Sequence, residues 1–437
     1  MESPQNADVL SHRYRWKHRL HSSGVHRGRR PGTRATRARN AGRLDGVAAS
    51  VPGLLPRHKR SSSNWRRRAG AYGLLTLFAC GPTVGPGAAP QPGSSGTTRA
   101  AAPSSARQSV SGPVAPPVRG DGTVMAETVL MGTQVTVNVW LADPQAAGAA
   151  GAAIHEALAE VARIERIASE WRDESDLSRL NRAAGADPVP VPAELAEILL
   201  RARSVSQATH GRFDVTFHAV GRLWQFTHGN RPPLARDIAA SIHLVDWRNV
   251  HVDPIRGTAR LTQPGMQVGL GAIAKGYAVD RASQLLRHRG FGQHIVEAGG
   301  DTYVSGAKGN QPWLVGIKSP GQKRTLAALP LENRAIVTSG TYERYFEYEG
   351  REYTHILDPR TGWPLERASS PQSVSIVANT ATDADAFATA ITIMGSQEGM
   401  AFVEERTDLE AVIIDSAGRL AVSSGLQPVL RVTPTGR

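Results

Sequence analysis

Along residues 135–141, Val135, Val137, Val139 and Leu141 alternate with Thr136, Asn138 and Trp140, the period-2 pattern of a strand with one buried face. Asp143 and Pro144 then read as an N-cap followed by proline at the first helical position. Ile154, Leu158, Val161, Ile164 and Ile167 continue at helical spacing. A second helix is predicted over 192–208, through Leu195, Ile198, Leu199 and Val205. A third leaves a glycine-rich turn at 268–276, with Ile273, Tyr277, Ala278, Ala282, Leu285 and Leu286 on one face and Gly290 as its stop. Further strands are predicted at 294–298, 303–305, 313–317, 335–338, 353–357, 373–377, 411–414 and 420–423, and further helices at 383–394 and 399–405. Strands and helices mix without a strict βαβ alternation, which predicts an α+β fold over residues 125–437.

Charge changes the picture at one end. Residues 1–70 hold 17 Lys and Arg against 3 Asp and Glu, and the rest of the chain holds 34 against 35. The net charge of +13 therefore sits outside the folded part, and no nucleic-acid partner is expected. Residues 1–65 lack apolar periodicity and are assigned no fold: a disordered Arg-rich leader or a misassigned start. Arg66, Arg67 and Arg68 precede a short apolar run and Cys80, the single cysteine of the sequence. One thiol excludes an intramolecular disulfide framework and a multi-cysteine zinc site. A positive flank, a short apolar core and a small residue before a cut site describe a secretory signal over 66–80. Leu77, Phe78, Ala79 and Cys80 resemble the lipobox of bacterial lipoproteins, whose cysteine is acylated and becomes the first mature residue. Residues 81–124, rich in Gly, Pro, Ser, Ala and Thr, read as a flexible tether reaching roughly 35 Å. The expectation is an exported lipoprotein, anchored to a membrane and facing the periplasm or another extracytoplasmic space.

Several polar constellations have two readings each. The turn at 268–276 feeds a helix that carries Lys275 in its first turns, which suits a phosphate at a helix start or equally a tight turn with a solvated lysine. Its spacing matches neither nucleotide-loop signature. Asp385 and Thr389 stand four apart on one helix face; as hard oxygen donors they suit Mg²⁺, or Asp383 and Asp385 simply complement the helix dipole. His355, at a strand end before the turn 358–362, is a general base or a hydrogen-bonded structural residue. Gly299 and Gly300 ahead of Asp301 form a turn around a ligand, or a tight corner with an exposed carboxylate. Trp171 stacks on a planar ring or packs in the core.

Taken in order, residues 131–133, 175–181, 213–216, 270–280, 298–301, 338–340, 354–362 and 384–389 resemble the FAD:protein FMN transferases, the ApbE-like flavinyltransferases, over about 127–430. That resemblance implies mixed sheets with packed helices. It implies Mg²⁺-dependent transfer of FMN from FAD to a Ser or Thr hydroxyl of a target protein, with AMP leaving. It implies Mg²⁺ held by the carbonyl of Ala272 and the side chains of Asp385 and Thr389. It implies FAD contacts at Met131, Trp171, Arg212, Phe213, Asp214, Lys275 and Leu357, and His355 as the base. The implied partners are membrane redox proteins with FMN-binding domains. Gly269 departs from the family, which usually has there an Asp that contacts FAD, and Trp171 stands where Tyr is frequent. Within the same residues, FAD pyrophosphate hydrolysis and non-catalytic flavin binding at a membrane are the alternatives.

Processing at Cys80 has a direct check. Mass spectrometry of the mature protein is expected to find a lipid-modified Cys80 at the N-terminus; an unprocessed start would reject the lipobox.

Overall fold

The computed structural model describes residues 117–226, 230–322, 324–342 and 344–432. The Arg-rich leader, the signal and Cys80, and the tether as far as residue 116 lie outside the described residues.

Eight strands form one antiparallel sheet whose spatial order follows chain order. They are β1 (Thr123–Leu130), β2 (Thr133–Trp140), β3 (His294–Ala298), β4 (Asp301–Ser305), β5 (Arg334–Gly340), β6 (Ser373–Ala378), β7 (Leu409–Ile414) and β8 (Leu420–Val422). Side-chain alternation sorts its two faces. Ala335, Val337, Val374, Ile376, Ala411 and Ile413 enter the main core. Their neighbours Ile336, Val377 and Val412 enter a second core on the other face, as period-2 geometry requires. There they meet Trp313, Ile317, Leu329 and Leu331 from the strands Trp313–Lys318 and Thr325–Leu331.

The helices are α1 (Ala147–Ala168), α2 (Asp176–Arg182), α3 (Ala193–Ala208), α4 (His218–Gly221), α5 (Ala235–Ser241), α6 (Ala274–His288), α7 (Ala381–Met394) and α8 (Ser396–Glu404). On the main-core face α1 packs on β1 and β2, α6 on β3 and β4, and α7 on β5 and β6. The apolar stripe of α1 is buried as its spacing predicts. Asp143 caps a short 3₁₀ turn, Pro144–Ala146, accepting from the Gln145 N–H at 2.9 Å before α1 begins. A third core gathers Val220, Trp224, Ile238, Phe346, Tyr353 and Leu357. The α+β expectation holds, with antiparallel sheets.

Some local expectations change. β1 has no sequence signature because its second half is exposed, Val129 at 70 %; the folded part therefore starts at Thr123. The strand expected over 353–357 is two pieces. The hairpin Tyr345–Tyr348/Arg351–Thr354 ends at Thr354, and Leu357–Asp358 pairs separately with Trp363–Pro364, so His355 lies on the link between two hairpins. The glycines of 268–276 are not needed for backbone freedom: none of Gly269, Gly271 and Gly276 has positive φ. Gly276 instead makes room for α7. A Cβ there would stand 2.2 Å from the Ala381 carbonyl oxygen.

This close crossing is testable. Gly276→Ala forces α6 and α7 apart and is expected to destabilise the fold by about 1–3 kcal/mol. An unchanged midpoint in thermal or denaturant unfolding would show that the crossing is not tight.

Candidate active site

The site grows from the crossing of α6 and α7, where each helix supplies a carboxylate to the other's N-terminus. Asp280, on α6, accepts from the N–H groups of Ala381 and Thr382 at 2.8 and 2.9 Å and from the Thr382 hydroxyl at 2.5 Å. Asp385, on α7, accepts from the Gly276 N–H at 3.2 Å. Free N–H groups and the positive end of the dipole favour a carboxylate at both places. The helix start at which the sequence suggested a phosphate thus has one of its donors occupied by Asp385. Asp280 is buried, and burial pushes its carboxyl up to about 6 against the pull of its three hydrogen-bond donors.

Lys275, one residue before Gly276, reaches Asp301 at 2.8 Å and Asp385 at 3.5 Å. Asp301 and Asp385 are 2 % and 3 % exposed. Burial, and then the charge of Asp385, push the Asp301 carboxyl well above the usual carboxylate range, with Lys275 pulling the other way. Burial pulls the Lys275 ammonium down, and the two carboxylates more than compensate, so its pKa lies above the ordinary lysine value. The Ala272 carbonyl and the side chains of Asp385 and Thr389 are an oxygen-only donor set, which fits a small divalent cation such as Mg²⁺. Thr389 lies one turn beyond Asp385 on α7 and is half-buried, as is Ala272 just before α6. Among the described residues no group of three or more His, Cys, Asp and Glu gathers as a metal site.

His355 stands within electrostatic reach of this cluster. Its Nδ1 lies 3.1 Å from the Arg344 carbonyl oxygen. A carbonyl only accepts, so Nδ1 carries the proton and Nε2 keeps its lone pair. Burial lowers the pKa of the imidazole, the Arg344 carbonyl opposes this, and the charges of Arg344 and Lys275 lower it further. A histidine so placed is neutral at pH 7 and is a base through Nε2.

Two hairpin tips meet beside the cluster. Met131 and Gly132 turn β1 into β2 with φ of 52° and 71°; Gly299 and Gly300 turn β3 into β4 with φ of 59° and 99°. Both are two-residue loops with positive φ at each position, the turn that matches strand twist. The Gly299 N–H donates to the Gln134 carbonyl at 3.1 Å, and a Cβ on Gly299 would strike the Thr133 side chain at 2.4 Å. The tips therefore interlock, and Asp301, at the foot of the second, turns inward to Lys275 rather than lying exposed. Met131, a non-glycine residue in the left-handed region, carries local strain.

The remaining residues separate by role. Asp214 accepts from the Thr216 N–H and hydroxyl at 2.8 and 2.6 Å and from the Trp247 N–H at 3.0 Å, so its carboxylate holds the loop. Phe213 and Leu357 are buried, in the main and third cores. Arg212 is engaged by Glu398 at 2.6 and 2.8 Å, with its Nε buried and without a hydrogen-bond partner. Trp171 is 81 % exposed, so it is not a core residue. Sequence reasoning missed the framing of the glycine turn. Asn181 bonds both the N–H and the carbonyl of Val268, at 2.8 and 2.9 Å. Glu170 accepts from the Leu270 N–H at 2.9 Å, and the Gly269 N–H donates to the Val215 carbonyl at 2.8 Å. Asn181, the last residue of the motif 175–181, stands 87 residues before Val268, and Glu170 stands 100 before Leu270, so the sequence carries no sign of what either holds.

Comparisons with known proteins identify the family. The model of the ApbE family matches residues 131–413. A FAD:protein FMN transferase of Treponema pallidum is 34% identical over 326 residues, covering 70% of this chain and 88% of that protein. One from Klebsiella pneumoniae is 31% identical over 304 residues, covering 68% and 90%. A crystal structure of an ApbE protein from Thermotoga maritima, 30% identical, superposes with a TM-score of 0.63 over 70% of this chain and 99% of that one. The flavin transferase ApbE of Vibrio cholerae, 26% identical, reaches 0.61 over the same shares. With the family model matching residues 131–413 and relatives more than 30% identical over most of their length, the chain belongs to the ApbE family.

Proposed function

We propose that this chain transfers the FMN part of FAD to a Ser or Thr hydroxyl of a target protein, releases AMP, and uses Mg²⁺ to do so. The observation that carries the reading is the Lys275–Asp301–Asp385 cluster with the neutral imidazole of His355 nearby. Support comes also from the relatives, named as FAD:protein FMN transferases.

In this reading Ala272, through its carbonyl, Asp385 and Thr389 hold the cation. When bound, it neutralises charge on the diphosphate and on the departing phosphate. Lys275 keeps the buried carboxylates paired and adds positive potential where the dinucleotide lies. Met131, Trp171, Leu357 and the 212–214 segment bind the rest of FAD, the buried Phe213 and the engaged Asp214 acting chiefly through the loop they hold in shape. His355 Nε2 takes the proton of the acceptor hydroxyl. The acceptor oxygen bonds to the phosphorus of the FMN half. The bond from that phosphorus to the bridging oxygen breaks, and its electron pair leaves with AMP. The acceptors are membrane redox proteins with an FMN-binding domain, met on the extracytoplasmic side if Cys80 anchors the chain. That location rests on the lipobox alone; among the described residues no helix is long and apolar enough to cross a membrane.

Incubating the full chain with FAD, Mg²⁺ and such an acceptor is expected to add one FMN to the intact mass of the acceptor. Free FMN and AMP with an unmodified acceptor would mean hydrolysis instead, and intact bound FAD would mean a flavin-binding protein. Asp385→Ala is expected to abolish transfer, and normal transfer by this variant at limiting Mg²⁺ would remove the assigned cation site.

The pH dependence follows from His355. Protonation disables the base, and its pKa is lowered from 6.5, so transfer is expected to hold through neutral pH and to fall on an acid limb centred below 6.5. His355→Ala should keep FAD binding and lose roughly 10²–10⁴-fold in rate. A limb centred above 6.5, or loss of binding in the variant, would give His355 another role.

A further inference from the structure

Gly269 lacks a side chain, and the space beside it is filled by His218. A Cβ built on Gly269 would stand 3.0 Å from His218 Cβ, 3.1 Å from its Cγ and 3.2 Å from its Nδ1. On its other side the imidazole meets Trp171, with ring centres 6.1 Å apart and planes at 86°. Trp171 is 81 % exposed, unusual for the largest apolar side chain in a folded domain. An exposed indole with an imidazole nearly perpendicular to it makes a corner: a flat ring for stacking and a polar ring for the edge of what stacks. Burial, and then the charge of Arg222, lower the pKa of His218 to about 4, so the ring is neutral and offers one donor and one acceptor. The corner adjoins the catalytic cluster through the turn 268–276, whose Gly269 N–H is bonded to Val215, three residues before His218.

We infer that His218 is a further ligand-contacting residue of this chain. With Trp171 it takes a planar heteroaromatic ring of the dinucleotide, the indole stacking on its face and the imidazole hydrogen-bonding to its edge. This rests on the function proposed above. It also gives Gly269 a physical meaning: a side chain at 269 would crowd the imidazole at 218, and the polar contact reaches the site from 218. Flavin and adenine both present a flat face and an edge of alternating donors and acceptors; stacking on one aromatic face suits either.

The test is equilibrium titration of the full chain with FAD, followed by flavin fluorescence, with riboflavin and AMP as separate probes for the two rings. His218→Phe keeps the ring and loses the polar edge. It is expected to weaken FAD binding roughly tenfold, to weaken whichever of riboflavin or AMP occupies the corner, and to leave the unfolding midpoint unchanged. His218→Gln, which restores a donor and an acceptor, should recover part of the affinity. Gly269→Asp alone should bind FAD worse because of the crowding at 3.0 Å, and the double variant Gly269→Asp with His218→Gly should bind better than either single change. If His218→Phe does not fold, the comparison of His218→Gln with His218→Ala decides in the same way. Unchanged FAD affinity in the folded variants, with the parent chain binding FAD, would overturn the role of His218 and leave the proposed function standing. A parent chain that does not bind FAD would overturn both.

Discussion

Two helix starts, each neutralised by a carboxylate from the opposite helix, hold this molecule's chemistry together. Asp280 closes the N-terminus of α7 and Asp385 closes that of α6. Each exchange satisfies N–H groups that a helix start leaves without an internal partner. Because the two exchanges run in opposite directions, the helices can neither slide nor rotate without breaking one of them. Gly276 lets the backbones approach closely enough for both. The arrangement sets Lys275 beside Asp385 and leaves Asp301, arriving from the sheet, as the third member.

The sheet supplies the other half of the constraint. Its strands follow one another in space, so each hairpin tip emerges at one of two ends. The tips at Met131–Gly132 and Gly299–Gly300 emerge at the same end and lock through Gly299 and Thr133. A methionine in the left-handed region is tolerated there because the hairpin and its neighbour over-determine the turn. At the same end Asp301 meets Lys275 of α6. Rigid elements thus carry the charged cluster, while the more exposed features, Trp171 and the link bearing His355, come from connections. Connections around a rigid scaffold are where binding groups commonly sit.

Burial decides the electrostatics. Asp280, Asp301 and Asp385 are all nearly inaccessible, and charges so placed persist only when paired or hydrogen-bonded. Asp280 has three donors, and Asp385 has Gly276 and Lys275. The strain remains at Asp301, where burial and the neighbouring Asp385 favour the protonated carboxyl and Lys275 opposes them. His355 is tuned by the same low-polarity surroundings and by the Lys275 ammonium, which lower its pKa and keep it neutral, with the Nε2 lone pair free.

The chain by itself determined the long elements and the ordered motifs. The stripe on α1, the alternation of β2, the helix after the glycine turn and the one bearing Asp385 and Thr389 follow from periodicity, because burial of one face repeats at every turn or every second residue. The motif order alone pointed to the family. Only tertiary structure decided what the glycines do, since the space beside Gly276 is taken by a carbonyl more than a hundred residues away and that beside Gly269 by the His218 ring. It also turned Asp301 inward, set Asp280 on α7, framed the turn with Glu170 and Asn181, and broke the expected 353–357 strand to place His355 on a link. Each of these is a contact between residues distant in sequence, and a local pattern carries no record of a partner it does not contain.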